Sequence, residues 1–214
     1  MFDPTSSKPI GGVLVGGQSR RFGADKATTH VGGRSMAAWA VRTLRESADP
    51  VVLLGGNGTL ARRMALPWCA DVQAGGGPLS GVAAGLRWTS ELGRPGLLVL
   101  ACDLPLVTPS LMTTILSYAG PDFDAVVPLD EWGEAQPLCA WYASSAYPAM
   151  EASLASGQYS MRGLLTRLRV RRLPAESSAE VGGGEPGRAG SHDHDVGVPE
   201  PAVRRRRGHQ NTPS

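Results

Sequence analysis

Short apolar runs alternate with stretches of helical period through the first 175 residues of the chain. The runs are rich in Val, Leu and Ile, and Gly or Pro stands at most of the joins, an alternation typical of an α/β fold. Predicted strands cover residues 12–15, 51–54, 97–101, 125–127, 138–142 and 170–173. The run that begins at Leu97 is apolar at every position, so we expect a central strand covered by helices on both faces.

Helices are predicted between these strands. Apolar residues recur three or four positions apart over residues 36–44 and again over 79–86. Thr108 followed by Pro109 is typical of a helix N-terminus, since Thr caps the first turn and Pro fits its first position, so a helix is predicted from there to Tyr118. Another is predicted over residues 160–168. The pattern therefore predicts one domain over residues 8–175, with a mostly parallel sheet between helices.

The composition changes after residue 175. Residues 176–214 contain no Leu, Ile, Met or aromatic residue, but carry the runs GGG, HDHD and RRRR. Such a segment buries too little apolar area to offset the entropy lost on ordering, so a disordered tail is predicted. The HDHD and RRRR runs are interpreted as solvated polar stretches.

Charge and cysteine content exclude several classes of protein. Lys plus Arg number 21 against 19 Asp plus Glu, so the near-neutral balance gives no electrostatic reason to expect binding to nucleic acid. The three cysteines are not spaced as C-x-x-C, which disfavours a disulfide framework and a structural zinc site. The longest strongly apolar run, residues 97–102, is far shorter than the roughly 20 residues of a membrane span. With no apolar region typical of a secretory signal near the first residues, a cytoplasmic location without membrane attachment is expected.

The most informative motif is LVGGQSRRFGADK, residues 14–26, which follows the first predicted strand. Gly16 and Gly17 let the main chain turn sharply and present amide groups to phosphate oxygens. Arg20, Arg21 and Lys26 then add positive charge, so the segment favours a polyphosphate ligand. It is neither a Walker A loop nor a G-x-G-x-x-G fingerprint. An ordinary tight turn remains the alternative interpretation.

Two acidic clusters accompany this motif. Asp103, in the sequence CDLP, ends the most apolar predicted strand, where a carboxylate can hold Mg²⁺ against nucleotide phosphates. Asp71 precedes the segment GGGPLSG, residues 75–81, a glycine-rich loop that runs into a predicted helix. A turn-forming aspartate in the first case and a simple loop in the second are the alternatives.

In this order and at these distances the three clusters resemble the molybdenum cofactor guanylyltransferase family. The family pattern L-A-G-G-x-S-x-R-M-G-x-D-K, then D with G-P-L-A-G, then C-D-x-P, corresponds here to LVGGQSRRFGADK, Asp71 with GPLSG, and CDLP. The resemblance implies a Rossmann-like nucleotidyltransferase domain. It also implies Mg²⁺-dependent transfer of GMP from GTP to molybdopterin, with release of pyrophosphate and formation of the guanine dinucleotide cofactor.

The resemblance further implies roles for individual residues. The catalytic residues would be Arg21, Lys26 and Asp103, with Asp103 also the metal ligand. The nucleotide-binding residues would be Leu14, Val15, Gly16, Gly17, Lys26, Asn57, Asp71 and Asp103. GTP and molybdopterin would be the small-molecule partners, and molybdoenzymes or their chaperones are candidate protein partners.

The chain departs from the family pattern in places. The family returns near its C-terminus with a segment like N-x-N-T-P-E-D-L, whose first polar residue lies near the metal, whereas this chain offers only QNTPS at residues 210–214. Either His209 or Asn211 lies at the site, or that ligand is missing.

Three alternative functions remain open: cytidylyl or uridylyl transfer to a small phosphorylated acceptor, nucleotide binding without catalysis, and binding of another cofactor such as S-adenosylmethionine. Trp132, just before a segment where the family contacts its acceptor, is a candidate acceptor contact.

Overall fold

The computed structural model describes residues 8–16 and 26–175, with Lys26 described for its main chain only. In chain order its strands are β1 (Ile10–Leu14), β2 (His30–Val31), β3 (Arg34–Ser35), β4 (Val51–Leu54), β5 (Trp68–Cys69), β6 (Gly96–Ala101), β7 (Ala125–Pro128), β8 (Cys139–Ala143) and β9 (Val170–Leu173). The helices are α1 (Met36–Arg45), α2 (Thr59–Met64), α3 (Gly77–Glu91), α4 (Pro109–Ser117), α5 (Tyr147–Ala155) and α6 (Met161–Leu165). Short 3₁₀ turns cover Lys26–Thr28 and Ser144–Ala146.

Seven of these strands form one sheet in the order β5-β4-β1-β6-β8-β7-β9, and β2 pairs with β3 in a separate hairpin. Within the sheet, β1 is parallel to both β4 and β6, β5 is parallel to β4, and β9 is parallel to β7. Only β8 runs against its neighbours β6 and β7. The mostly parallel sheet is therefore confirmed, and β6 is its central strand, as its apolar run predicts.

Helices cover the sheet on both faces, which confirms the predicted α/β arrangement. The core on one face joins α3, α5 and α6 to the sheet through buried side chains such as Leu86 and Met150. The core on the other face joins α1, α2 and α4 to the sheet through residues such as Leu44 and Met112. All six residues of β6 are buried, because both cores lie against this strand.

The predicted elements are all present: the strands over residues 51–54 and 170–173 have the predicted bounds, and the other elements have shifted ends. The first strand begins at Ile10 rather than residue 12, because Ile10 and Gly11 pair with Leu97 and Leu98 of β6. The helix from Pro109 is capped by the Thr108 side chain, which accepts from Leu111 N at 3.4 Å. The last predicted helix, residues 160–168, is shorter and ends at Leu165.

Several short elements were not predicted from the sequence. The hairpin of β2 and β3 and the edge strand β5 have two residues per strand, too few to show a period. Helix α2 begins after Gly58 and spans only six residues. Helix α5 carries small and apolar residues around its circumference rather than on one stripe, so helical spacing does not reveal it.

Two further expectations concern parts of the chain beyond the sheet. The predicted tail, residues 176–214, lies outside the described residues, as does the segment QNTPS at 210–214. Where the structure describes the chain, its helices are all too short or too polar to cross a membrane.

Candidate active site

The order of strands in the sheet reverses between β1 and β6. From β1 the chain continues to β4 and β5 on one side, and from β6 it continues toward β8 and β7 on the other. Loops that leave two neighbouring parallel strands in opposite directions open a crevice at their carboxyl ends, where α/β proteins bind ligands. Gly16 follows β1 and Asp103 follows β6, so two of the three sequence motifs meet at this crevice.

The main chain after β1 lies directly against the main chain after β4. A Cβ built on Gly16 would lie 2.9 Å from the Gly56 amide nitrogen and 3.4 Å from the Gly55 Cα. Val15 N also donates to Leu54 O at 3.1 Å. We call Gly16, Gly55 and Gly56 the glycine wall, because side chains are excluded where these loops touch.

Asp71 borders the glycine wall from the third loop along this edge. Its Oδ1 lies 3.2 Å from a Cβ built on Gly55 and 3.3 Å from one built on Gly81, in the first turns of α3. Partial burial raises the pKa of Asp71 above its ordinary value. The loop after β5 and the GPLSG segment therefore meet beside the glycine wall, as the second motif requires.

Asp103 stands on the other side of the crevice. Cys102 N donates to Leu14 O at 3.1 Å, so the first residue after β6 is bonded to the last residue of β1 where the crevice opens. The Asp103 side chain is exposed and borders a cleft of about 440 Å³, lined by residues 103–108 and Leu111. Among residues 8–16 and 26–175, no cluster of three or more His, Cys, Asp or Glu side chains is arranged to hold a metal ion.

A single carboxylate is nevertheless a suitable partner for Mg²⁺ in such a site. Mg²⁺ keeps several of its waters and is commonly held by one or two carboxylates together with substrate phosphates, without an all-protein cage. An exposed Asp103 at the carboxyl end of the central strand fits this pattern. The donor set is therefore compatible with a magnesium ion that arrives with the nucleotide.

The remaining predicted nucleotide-binding residues have varied surroundings. Leu14 is 5% exposed and its side chain lies in the core, whereas Val15 is half-buried next to the glycine wall. The exposed Asn57 accepts a hydrogen bond from Thr59 N at 3.0 Å through Oδ1, which caps the turn that leads into α2. Gly17, Arg21 and the side chain of Lys26 lie outside the described residues, and Lys26 opens the 3₁₀ turn that follows them.

The loop after β7 forms a second wall at this edge of the sheet, and only Trp132 in it was identified from the sequence. The residues from Leu129 to Ala135 form a tight turn after β7, which we call the Asp130 turn. Asp130 Oδ1 accepts from Trp132 N at 3.0 Å and from Glu134 N at 2.8 Å. These bonds fix the turn and leave Trp132 at its tip, 77% exposed.

The Asp130 turn is tied to neighbouring segments on both sides. Gln136 Nε2 donates to Asp130 Oδ2 at 2.8 Å, and Leu138 O accepts from Ala101 N at 2.8 Å, two residues before Asp103. Glu134 also pairs with Arg162 of α6, with 2.7 Å between Oε2 and Nη1. The sequence signal for this turn is the Asp at 130 followed by Gly at 133, which adopts a positive φ of 79°.

Comparison with known proteins places this arrangement in a family. The family described as "MobA-like NTP transferase domain" matches residues 11–173. A probable molybdenum cofactor guanylyltransferase of Opitutus terrae is 33% identical over 183 residues, which is 82% of this chain and 90% of that protein. The molybdenum cofactor guanylyltransferase of Cereibacter sphaeroides is 33% identical over 161 residues, or 74% of this chain and 81% of the relative.

A solved structure supports the same assignment. The crystal structure of molybdopterin-guanine dinucleotide biosynthesis protein A from Archaeoglobus fulgidus superposes with a TM-score of 0.64 at 26% identity. The match covers 78% of this chain and 84% of the other. The family match over residues 11–173 runs from β1 to the end of β9, so it includes the loops that form the crevice.

Proposed function

This chain belongs to the family of MobA-like nucleotidyltransferases, and from that membership we propose that it transfers GMP from GTP to molybdopterin, forming the guanine dinucleotide cofactor and pyrophosphate. The observation that carries the proposal is the convergence of the three motifs on one edge of the sheet. Gly16 lies in the loop after β1, and Asp103 lies in the loop after β6. Asp71 lies in the loop after β5 and contacts the loop after β4.

In this reaction a phosphate oxygen of the acceptor attacks the α-phosphorus of GTP. A new P–O bond forms to the acceptor, the bond between the α-phosphorus and the bridging oxygen breaks, and pyrophosphate leaves with the electron pair. A phosphate monoester is largely ionised near neutral pH, so no side chain has to remove its proton. The task of the protein is to align the two phosphates and to stabilise the charge on the leaving group.

The residues of the crevice suit that task. The main chain at Gly16 would present its amide to the nucleotide phosphates, since the glycine lets the loop after β1 pack against the loop after β4. Asp71 would contact the nucleoside, and Arg21 and Lys26 would neutralise phosphate charge. Asp103 would hold Mg²⁺, which supplies charge neutralisation on the phosphates when bound.

The Asp130 turn would provide the acceptor side. Trp132 offers an exposed aromatic face that suits the flat ring system of a pterin, and the hydrogen bond from its main-chain N to Asp130 fixes the backbone that carries it. Replacing it by alanine should raise the KM for the acceptor and leave the affinity for GTP unchanged. An unchanged acceptor KM would remove Trp132 from the acceptor site.

The first test of the function combines a thermal melt with a turnover assay. The purified protein is melted with Mg²⁺ and GTP, CTP, UTP or ATP, and then supplied with molybdopterin. A ligand at 100 times its dissociation constant stabilises the folded state by about 2.7 kcal/mol, which is a readily measured shift. We expect a shift selective for GTP and formation of the dinucleotide with equimolar pyrophosphate.

Matched variants connect the result to the crevice. Asp103→Asn should abolish transfer. Asp122→Asn should have no effect on transfer, because this aspartate is also exposed but precedes β7, at the opposite ends of the strands. Preference for CTP or UTP would keep the fold and change the substrate. Binding without turnover would indicate a non-catalytic nucleotide-binding protein.

A further inference from the structure

The segment between β5 and α3 is fastened by a hydroxyl group buried beneath it. Ser80 is fully buried, and its Oγ accepts a hydrogen bond from Gln73 N at 2.7 Å while donating one to Gln73 O at 3.0 Å. One side chain thus satisfies both main-chain groups of the same residue. Because both distances lie within the hydrogen-bond range, Gln73 is held against the first turn of α3.

The same residue is fastened a second time by its side chain. Gln73 Nε2 donates to Tyr159 Oη at 2.8 Å, and Tyr159 lies between α5 and α6. We call Gln73, Ser80 and Tyr159 the Gln73 clasp. It joins the loop after the edge strand β5 to the C-terminal helices, which otherwise lie far from it along the chain.

The clasp contacts the middle one of the three glycines that follow. Gly76 N donates to Gln73 O at 3.1 Å, and a Cβ on Gly76 would lie 2.9 Å from Ser80 Cβ. Gly75 and Gly77 have positive φ angles of 80° and 61°, and a Cβ built on either meets no heavy atom within 4 Å. The middle glycine is therefore packed against the helix, while its two neighbours border open space.

The clasp also lies beside the nucleotide-binding side of the crevice. Asp71 stands two residues before Gln73, and its carboxylate lies 3.3 Å from a Cβ built on Gly81, the residue after Ser80. Fixing Gln73 on Ser80 thus limits the positions that Asp71 can take relative to the glycine wall. An alanine at position 80 could form neither bond.

We propose that Ser80 is a positioning residue, whose two hydrogen bonds to Gln73 hold Asp71 and the glycines 75–77 in the geometry that binds the nucleotide. The inference rests on the proposed function, because Asp71 is taken as a nucleotide contact. It assigns to the serine of GPLSG a role that an alanine at that position cannot perform.

The test compares three variants of the full-length protein. Ser80→Ala removes both hydrogen bonds to the main chain of Gln73. Tyr159→Phe removes only the hydroxyl group that accepts from the Gln73 side chain. The matched control is Thr89→Val, which deletes another fully buried hydroxyl of α3 that donates to Gly85 O at 2.8 Å, away from the clasp. All three lose a hydroxyl, but only the first two loosen Gln73.

Nucleotide affinity by calorimetry and the split between KM and kcat are the readouts. For Ser80→Ala we expect GTP affinity to fall about tenfold, with KM for GTP raised more than kcat is lowered, which corresponds to about 1.4 kcal/mol of binding free energy. Tyr159→Phe should give a smaller loss, and Thr89→Val should bind GTP like the parent protein even where its melting temperature falls. Hydrogen exchange at the Gln73 amide should accelerate in Ser80→Ala alone.

The outcomes separate the inference from the function on which it rests. Parent-like GTP affinity in Ser80→Ala, with faster exchange at Gln73, would overturn the positioning role and leave the transferase intact. An equal loss of affinity in Thr89→Val would also overturn it, since general destabilisation would then explain the effect. A parent protein that binds no nucleotide would instead reject the proposed function.

Discussion

Two walls at the same edge of the sheet are built in opposite ways. The glycine wall is shaped by the absence of side chains, since the Gly56 amide nitrogen in the loop after β4 lies 2.9 Å from where a Cβ on Gly16 would stand. The Asp130 turn is shaped by the presence of one, because a single carboxylate accepts three hydrogen bonds and fixes its conformation. A loop can therefore be made rigid by close main-chain packing or by a capping side chain, and each solution leaves a different surface.

The difference fits the two ligands of the proposed reaction. Main-chain amides near glycine can approach phosphate oxygens closely, which suits the nucleotide. A rigid turn can display a large aromatic side chain to solvent, which suits a flat acceptor. Substitutions in the two walls should consequently affect different substrates, and the following predictions test that division.

The largest effect is expected from Gly16→Ala. The new methyl group would overlap the Gly56 amide, so the loops must separate, at a loss of about 1–3 kcal/mol in the free energy of unfolding. GTP affinity should fall on the order of 100-fold, because the main chain that is proposed to face the phosphates moves. Urea unfolding and calorimetry measure the two effects. Gly120→Ala is the control, since a Cβ there meets no heavy atom within 4 Å, and an equal effect of both variants would refute the close-packing argument.

Asp130→Ala should have the next largest effect, and on the other substrate. Two main-chain amides and the Gln136 side chain lose their acceptor, which should lower the free energy of unfolding by about 1–2 kcal/mol. The KM for the acceptor should rise while GTP affinity is retained. A variant that loses GTP affinity instead would show that the two walls do not act separately.

Asp71→Asn should change the free energy of unfolding by less than the two preceding variants do, and should raise it. Burial raises the pKa of Asp71, so the folded protein holds this proton more tightly than the unfolded chain does. The carboxyl group therefore contributes less to stability as pH rises from its ordinary pKa of 3.8, and the ionised form is unfavourable at neutral pH. The asparagine variant should melt at a higher temperature at pH 7 and bind GTP more weakly.

The pH dependence of the difference in melting temperature tests whether the charge of Asp71 causes it. The melting temperatures of the parent protein and Asp71→Asn should converge as pH is lowered through 3.8, because below that pH the carboxyl group is protonated in both the folded and the unfolded chain. A difference that stays constant from pH 7 to pH 4 would show that the desolvated charge is not its cause.

The smallest effect is expected from the ion pair that ties the Asp130 turn to α6. Glu134 and Arg162 are both more than half exposed, so a double-mutant cycle with Glu134→Gln and Arg162→Gln should give a coupling of about 0.2–1 kcal/mol. The coupling should shrink at high salt. A larger, salt-independent value would mean that the ion pair, and not the carboxylate cap, fixes the turn.

The parts of the site that the sequence predicts depend on residues close together along the chain, whereas the unpredicted parts depend on contacts between distant segments. The motif around Gly16 follows a strand that the apolar run 12–15 indicates, and the aspartate of CDLP follows the most apolar run in the chain. Their positions at one edge follow from strand direction, because carboxyl ends of parallel strands lie together. The Gln73 clasp could not be predicted, since Gln73 and Tyr159 are 86 residues apart and neither belongs to a recognisable pattern.

The sequence by itself determined the α/β class, the central position of β6, and the residues that end each strand at the crevice, because periodicity and strand-end chemistry are local properties of the chain. Only the tertiary structure decided the strand order, the contact of Gly16 with Gly56, and the exposure of Trp132 on a capped turn. These depend on which segments fold against each other, and on whether a Cβ or a buried hydroxyl fits between them.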